Sequence, residues 1–456
     1  MGSCYGRSPE VQEAKMKPES KSPQKNEKGQ ILVILAIAIV AIFAFAGLAI
    51  DGNRIYAARR LNQSTADSAA LAGAEGAYQA LKSTKYVIFS CGDNSLGTAS
   101  DAAVTAAKLA AANSANADNI ILEPYAPGAE NYVNVICDKD GSRVYLDVTV
   151  KVTTQTLTTL SRVINVNSIN TSALATVRFY PKQTFGYGNT LVSLAPDCKK
   201  NAAGITFEGS SSTKIITGGI FSDSCIEVGG NKTTVNVTDG TIFYNENFDP
   251  SDWTNFDPKP QPTADKISTD PLPEPKCPKT GDASYINAKP SNNTLSPGNY
   301  SGISLKNGEL TLQPGLYCLD GSLSINGGIF IAEGVTIHFA SGTPNFAGNT
   351  VIHMKAPICE SGYCPSQGVP DAIPGMLMYV GHSDSVVING TSDNYFEGLI
   401  YAPKSQLTLN GTTKDVNVVD GQIIAYGIII SGNANLSMNQ TGKNQYTYNA
   451  SLDFIK

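Results

Sequence analysis

Twenty consecutive residues, Ile31 to Ile50, carry no polar side chain, and this run constrains the chain more than any other feature in it. At about 1.5 Å per residue, a helix over the run is about 30 Å long, the thickness of a bilayer's hydrocarbon core. A soluble helix of this length keeps a polar face, because part of it meets water. A secretory leader has a shorter apolar stretch, about 7 to 15 residues, with small residues at its cleavage point. Here Asp51-Gly52-Asn53-Arg54 follows instead. The run therefore reads as a retained transmembrane helix. Lys15, Lys17, Lys21, Lys25 and Lys28 precede it within twenty residues, against Arg54, Arg59 and Arg60 in the twenty that follow. Five cations against three put the N-terminus on the cytoplasmic side and the bulk of the chain across the membrane.

The cysteines divide in the same direction. Cys4 precedes the helix, and Cys91, Cys137, Cys198, Cys225, Cys277, Cys318, Cys359 and Cys364 follow it. An even set on the side expected to be oxidising suits four disulfides. Sequence alone leaves the connectivity open, and nearest-neighbour pairing (91–137, 198–225, 277–318, 359–364) is the simplest arrangement. Zinc is the alternative, but there is no C-x-x-C pair and His338, His353 and His382 are the only histidines. No metal or other cofactor is expected.

Residues 1–30 are polar, with Lys, Glu, Ser and Pro dominant, and read as a disordered cytoplasmic tail. After the 31–50 span, Ile55, Ala58, Leu61, Thr65, Ala69, Ala72 and Gly76 recur at helical spacing, so the helix continues to about Leu81 with a stripe of small residues. That stripe suits packing on the protein's own sheet or on a partner helix. A second Ala-rich helix is expected from Ser100, as its cap, to Ala115. Strands follow at Tyr132–Ile136 and Val144–Val152 with a turn at 138–141, then a short helix near Thr158–Val163 and a strand from Ile169 to Tyr180. Residues 51–182 thus form a small α+β module.

Beyond it, over 183–456, helical periodicity disappears. Short runs such as Ile303-Ser304-Leu305 and Leu323-Ser324-Ile325 alternate, and Asn-Gly turns begin at Asn307, Asn326, Asn389 and Asn410. The segment Ser296-Pro297-Gly298-Asn299-Tyr300 recurs as Gln313-Pro314-Gly315-Leu316-Tyr317. Such punctuation favours an all-β extracytoplasmic domain built as a β-solenoid resembling a right-handed β-helix, with a β-sandwich as the alternative. Residues 249–278 hold eight prolines and Trp253, the one tryptophan, and read as an extended insertion lying across the surface.

Lys28-Gly29-Gln30, the apolar span ending Ala49-Ile50-Asp51, and the run from Arg54 through Ala66-Asp67-Ser68-Ala69-Ala70-Leu71-Ala72 together resemble the start of TadG-type proteins, in the TadE/TadG-like group of Flp (tight adherence) pilus assembly. Thr171–Val177 is similar to the end of the same module. The resemblance implies a non-enzymatic part in pilus assembly or secretion and in surface adherence. It also implies a single-pass place in a bacterial cytoplasmic membrane and protein partners in the assembly machinery. A processed pilin-type helix would carry Glu at its fifth position, but counting from Gln30 that position is Ile34. Some relatives carry a magnesium-dependent adhesion motif, D-x-S-x-S. Asp320-Gly321-Ser322-Leu323-Ser324 matches its letters, but the following Ile325-Asn326-Gly327-Gly328 reads as strand and turn rather than the required helix.

No nucleophile elbow, phosphate loop or H-E-x-x-H motif is present. The acids Asp371, Asp384, Asp393 and Glu397 have only Lys404 and Lys414 near them in sequence, and no arginine follows Arg178. They read as turn residues rather than a glycan-cleaving set. Tyrosines 244, 285, 300, 317, 363, 379, 395, 401 and 426 read as packing residues before sugar platforms. A net charge of −6 gives no electrostatic footprint for nucleic acid. The expectation is a tethering and docking protein that contacts the pilus, the cell wall or surface glycans. The alternatives are a carbohydrate-binding adhesin without a pilus connection and a β-solenoid polysaccharide-active enzyme.

Overall fold

The computed structural model describes residues 30–82, 89–114, 120–140, 143–198, 204–229, 232–245, 253–263, 266–267, 272–277, 285–286, 294–347, 350–358, 372–389, 393–411, 416–432, 435–440 and 446–455. The chain divides into two compact units: the chain up to Arg60 with residues 154–171, and residues 61–153 with 172–456.

Helix α1 runs from Gln30 to Leu81. Its first part belongs to the first unit and is long and apolar enough to cross a membrane. Between Ile31 and Ile50 only Gly47 is buried; Leu32, Val40, Phe43 and Phe45 are each about two-thirds or more exposed. That exposure is the reverse of a core helix and leaves apolar surface that only a nonaqueous neighbour can cover.

The second unit holds the rest of α1. Helix α2 (Asn94–Ala112) starts earlier than the sequence suggests. Ser100 is interior to it rather than its cap, and its hydroxyl donates back to the Leu96 carbonyl at 2.8 Å. Strands β1 (Glu123–Pro124), β2 (Tyr132–Asp140), β3 (Arg143–Leu157) and β4 (Ser168–Tyr180) form a sheet in that order. A fifth strand, Ser451–Phe454, completes it by pairing antiparallel with β4, Ser451 opposite Tyr180 and Phe454 opposite Val177. Sequence reading placed no strand there. Alternation along β3 buries Val144, Leu146, Val148, Val150 and Val152 against both helices.

The small residues of α1 are consumed inside this unit. Ala66, Ala69, Ala70, Ala74 and Ala77 are fully buried. A Cβ added at Gly73 would stand 2.8 Å from Val148 Cγ1 and 3.0 Å from the Ala103 carbonyl oxygen. Helix α2 answers with Ala99, Ala103, Ala107 and Ala111, so two alanine faces meet at close range. The expected stripe is buried in part: Thr65 and Ala69 are buried and Gly76 is half-buried, where an added Cβ would stand 2.8 Å from Ala106 Cβ, and Ala66, Ala70 and Gly73 beside the stripe are buried as well.

The described strands between Leu191 and Asn439 form a β-solenoid of about eight turns, parallel and stacked coil on coil. One inward column shows its construction. Leu312 is in register with Ala332, Ala332 with Met354, Met354 with Phe396, Phe396 with Val419 and Val419 with Met438. Met438 is then in register with Ile215, and Ile215 with Val237, all of them buried. The column therefore passes from the last coil of the chain to its first. Ile428 pairs with Ile205 and Ile423 with Leu191 in the same way. The chain enters the solenoid at its middle, builds to one end, returns through the Pro-rich segment to the other end, and fills back to where it began.

The Pro-rich segment works as a strap. Trp253 packs at 5.8 Å from Tyr244 and 5.1 Å from Phe256, covering one end of the core. Ile267 and Leu272 are buried against Met376, Tyr379, Leu399 and Tyr401 on one flank. The Ile267 N–H donates to Asp223 Oδ1 at 2.8 Å and the Leu272 N–H to the Tyr401 hydroxyl at 3.2 Å.

The solenoid's entry and exit are tied to the α+β sheet. Gln183–Thr184 pairs antiparallel with Thr447–Tyr448. The Gln183 side chain accepts from the Val144 N–H and donates to the Val144 carbonyl at 2.8 and 2.7 Å. The Arg143 guanidinium lies over the Tyr180 and Tyr448 rings at 4.1 and 4.6 Å.

Candidate functional site

In the first unit, Asp51 closes the apolar run and is 3% exposed. Its carboxylate accepts the Thr159 N–H at Oδ1 (2.7 Å) and, at Oδ2, the Leu160 N–H (3.1 Å), the Ser161 N–H (2.9 Å) and the Ser161 hydroxyl (2.8 Å). Those donors open a 3-10 turn, Ser161–Ile164, at the tip of the β3–β4 connection. Backbone N–H groups at a helical start have no partner of their own, so a fixed carboxylate there satisfies them and meets the positive end of the dipole. The convergence of donors holds the Asp51 carboxyl far below the usual carboxylate range, against the opposing effect of desolvation. Arg54, one turn on, donates to the Thr159 hydroxyl at 2.6 Å.

One turn earlier, Gly47 receives the side chain of Leu160. A Cβ on Gly47 would fall 2.6 Å from Leu160 Cδ1 and 2.7 Å from its Cβ, so only glycine lets the tip lie this close. Together Gly47, Asp51 and Arg54 form one face of α1 that clasps residues 159–161. In the sequence Asp51 counts against cleavage and within the family resemblance, but nothing there assigns it a partner. The missed signal is that Asp51 is the sole acid between Ile31 and Ala66.

The other residues singled out from sequence are dispersed. Cys91 is bonded to Cys137, Cys198 to Cys225 and Cys277 to Cys318. Cys359 and Cys364 lie outside the described residues, as do Cys4, Tyr363, Asp371 and Lys414. Among the described residues, two groups bring three metal-type donors together: Cys277, Cys318 and His338, and Cys198, Cys225 and Glu227. In each the two sulfurs are joined to one another, which removes both thiolates as ligands. His338 lies 3.1 Å from Cys277 Sγ through Nδ1 and 2.9 Å from Glu274 through Nε2, and burial pushes its pKa down.

Asp320-Gly321-Ser322 is a corner of the solenoid, and the strand Leu323–Ile325 follows it, so the serine hydroxyls have no helix to align them. Asp384 is exposed and sits 3.5 Å from His382 Nδ1. Glu397 accepts from the Tyr395 hydroxyl at 3.1 Å. Lys404 is exposed. Tyr300 and Tyr317 stack at 6.0 Å inside the core, and Tyr379 and Tyr401 lie under the strap. Burial pushes the Tyr379 hydroxyl up to about 12. Tyr244 is buried as well, and Tyr426 is half-buried.

The described residues thus hold one helix apolar and long enough to cross a membrane, clasped at the end of its apolar run by a hairpin tip, together with an α+β module and a β-solenoid. Residues 29–77 match the family described as putative Flp pilus-assembly TadE/G-like. The matched segment coincides with almost the whole of α1. The comparisons with curated proteins and with solved structures found no match.

Proposed function

We propose that this chain is a membrane-anchored, TadG-like component of a Flp/Tad pilus-assembly or secretion machine that works by tethering and docking rather than by catalysis. The single observation that carries the proposal is the coincidence of the TadE/G-like segment, residues 29–77, with the continuous helix α1. The same segment supplies both the apolar anchor and, further along, the alanine face on which the α+β module is built. The helix would cross the bacterial cytoplasmic membrane with its N-terminus in the cytoplasm. The solenoid, stiffened by disulfides and strap, would contact the pilus, the cell wall or a surface glycan.

The test is deletion of the gene in its host, with pili counted by electron microscopy and surface attachment measured in parallel. Loss of Flp pili, restored by the full chain, is the expected outcome. Normal pilus numbers would sink the assembly role. If attachment to glycan surfaces fell while pili stayed normal, the adhesin reading would replace it.

A further inference from the structure

The tip of the β3–β4 connection exposes apolar side chains where a water-facing hairpin would carry polar ones. Val163 is 84% and Ile164 71% exposed, and Leu157, Leu160 and Val166 are exposed beside them. Residues 154–171 contain no acid, and their one charged side chain is Arg162. Around the same end of α1 stand exposed Arg54, Arg59, Arg60 and Tyr56.

We infer that this tip is a second membrane contact, seated in the bilayer interface at the Ile50 end of α1, with lipid as its occupant. The inference rests on the reading of Ile31–Ile50 as a membrane span. Three observations support it. The first is position. Leu160 lies on Gly47, three residues inside the apolar run, which places it about 5 Å below the end of the span. An interfacial segment buries its apolar face by about 5 to 10 Å, so the tip lies at that depth if α1 spans. The second is backbone satisfaction. The N–H groups of residues 158–161, 163, 165 and 166 all donate within the clasp, to Asp51 or to carbonyls of the same loop. Irregular backbone enters an apolar medium only when its polar groups are satisfied in this way. The third is composition. Apolar side chains, cations and a tyrosine without exposed acids match the chemistry of a headgroup layer. The apolar surface of the tip also continues directly from that of the helix.

Indole fluorescence tests this in the full chain reconstituted into vesicles. Trp253, the only native tryptophan, packs in the solenoid and is replaced so that it adds nothing to the emission. In a Trp253→Phe background, Val163→Trp places an indole at the tip without disturbing packing, and Ile39→Trp places one within the span. With lipids brominated at the upper part of their chains, the indole at position 163 should lose about half its emission, and aqueous iodide should quench it roughly threefold less than it quenches a free indole in water. Iodide quenching equal to that of a free surface indole would overturn the inference. So would protection from both quenchers, which would point to a protein partner over the tip. Quenching by bromolipid at position 39 but not at 163 would sink the interfacial tip and leave the span standing. Failure at position 39 as well would overturn both.

Discussion

Two aspartates differ in sign. Asp51 is an ionised cap, stabilised by three backbone donors and a hydroxyl. An acid held below its ordinary range contributes stability that is complete above about pH 4 and is lost as pH falls through its lowered value. Asp51→Asn should therefore loosen the clasp at neutral pH, because an amide is a weaker acceptor for charge-assisted bonds. The amides of Thr159, Leu160 and Ser161 should exchange hydrogen several-fold faster, read by mass spectrometry, with α2 and the solenoid unchanged. Asp223 is the opposite case. Burial beneath the strap raises its pKa to about 6, against the Ile267 N–H and Lys266, which lower it. The folded state then holds a proton that the unfolded state releases near pH 4, so this site's contribution falls as pH rises from about 4 to 6. The effect is about 2 kcal/mol after allowance for partial solvent screening. Asp223→Asn keeps an acceptor for the Ile267 N–H and should flatten that stretch of the pH–stability curve, measured by denaturant titration.

At the scale of elements, the solenoid was legible because its corners are chemically marked. Each Tyr of the repeated Pro-Gly-x-Tyr segment turns back on the corner: Tyr317 donates to the Gln313 carbonyl at 2.8 Å, and Tyr300 bonds the Ser296 carbonyl. Asn389 and Asn410 form an amide ladder at 3.1 Å between neighbouring coils. Two glycine corners separate backbone strain from steric clash. Gly308 has φ +84° with nothing within 4 Å of an added Cβ, while Gly342 has φ +71° and its Cβ would lie 2.3 Å from the Gly321 carbonyl carbon. Gly308→Ala should cost about 1–2 kcal/mol, the strain of a left-handed backbone alone. Gly342→Ala should cost about 3 kcal/mol or more, because stacked backbone has to move as well. Equal losses in the two variants, measured by denaturant midpoint, would refute the tight coil-on-coil stacking. Other elements were hidden for physical reasons. The strand Ser451–Phe454 has four residues and no lasting alternation, and its partner β4 lies about 270 residues earlier. The strap role of the proline-rich segment depends on Ile267 and Leu272, two apolar side chains too few to form a periodic signal. Helix α2 was placed late because Gly97 and Thr98 dilute the helical signal of its first turns.

For the whole molecule, the order of coils matters more than their number. A solenoid that ran straight from first coil to last would leave both ends of the chain at opposite ends of the stack, with nearest-neighbour stability along the sequence. Here the last coil closes on the first, so the entry at Gln183 and the exit at Thr447 meet and are paired, and the strand after the exit returns to β4. Nothing in the residues themselves marks this closure, since Ile205 and Ile428 are ordinary strand positions that pair with each other as any neighbouring rungs do. The closure is measurable. Ile205 and Ile428 are both buried, and either change to Ala should cost about 2–4 kcal/mol. If the two coils were distant, the costs would add within about 0.5 kcal/mol. As stacked neighbours sharing one core layer, the pair should show a coupling of about 1 kcal/mol in a double-mutant cycle, because the second truncation enlarges a cavity already opened by the first. Ile325→Ala, in another part of the solenoid core, provides the reference and should add independently to Ile205→Ala. Coupling in the first pair and additivity in the second would establish that the two ends of the solenoid sequence meet in its middle; additivity in both would show that they do not.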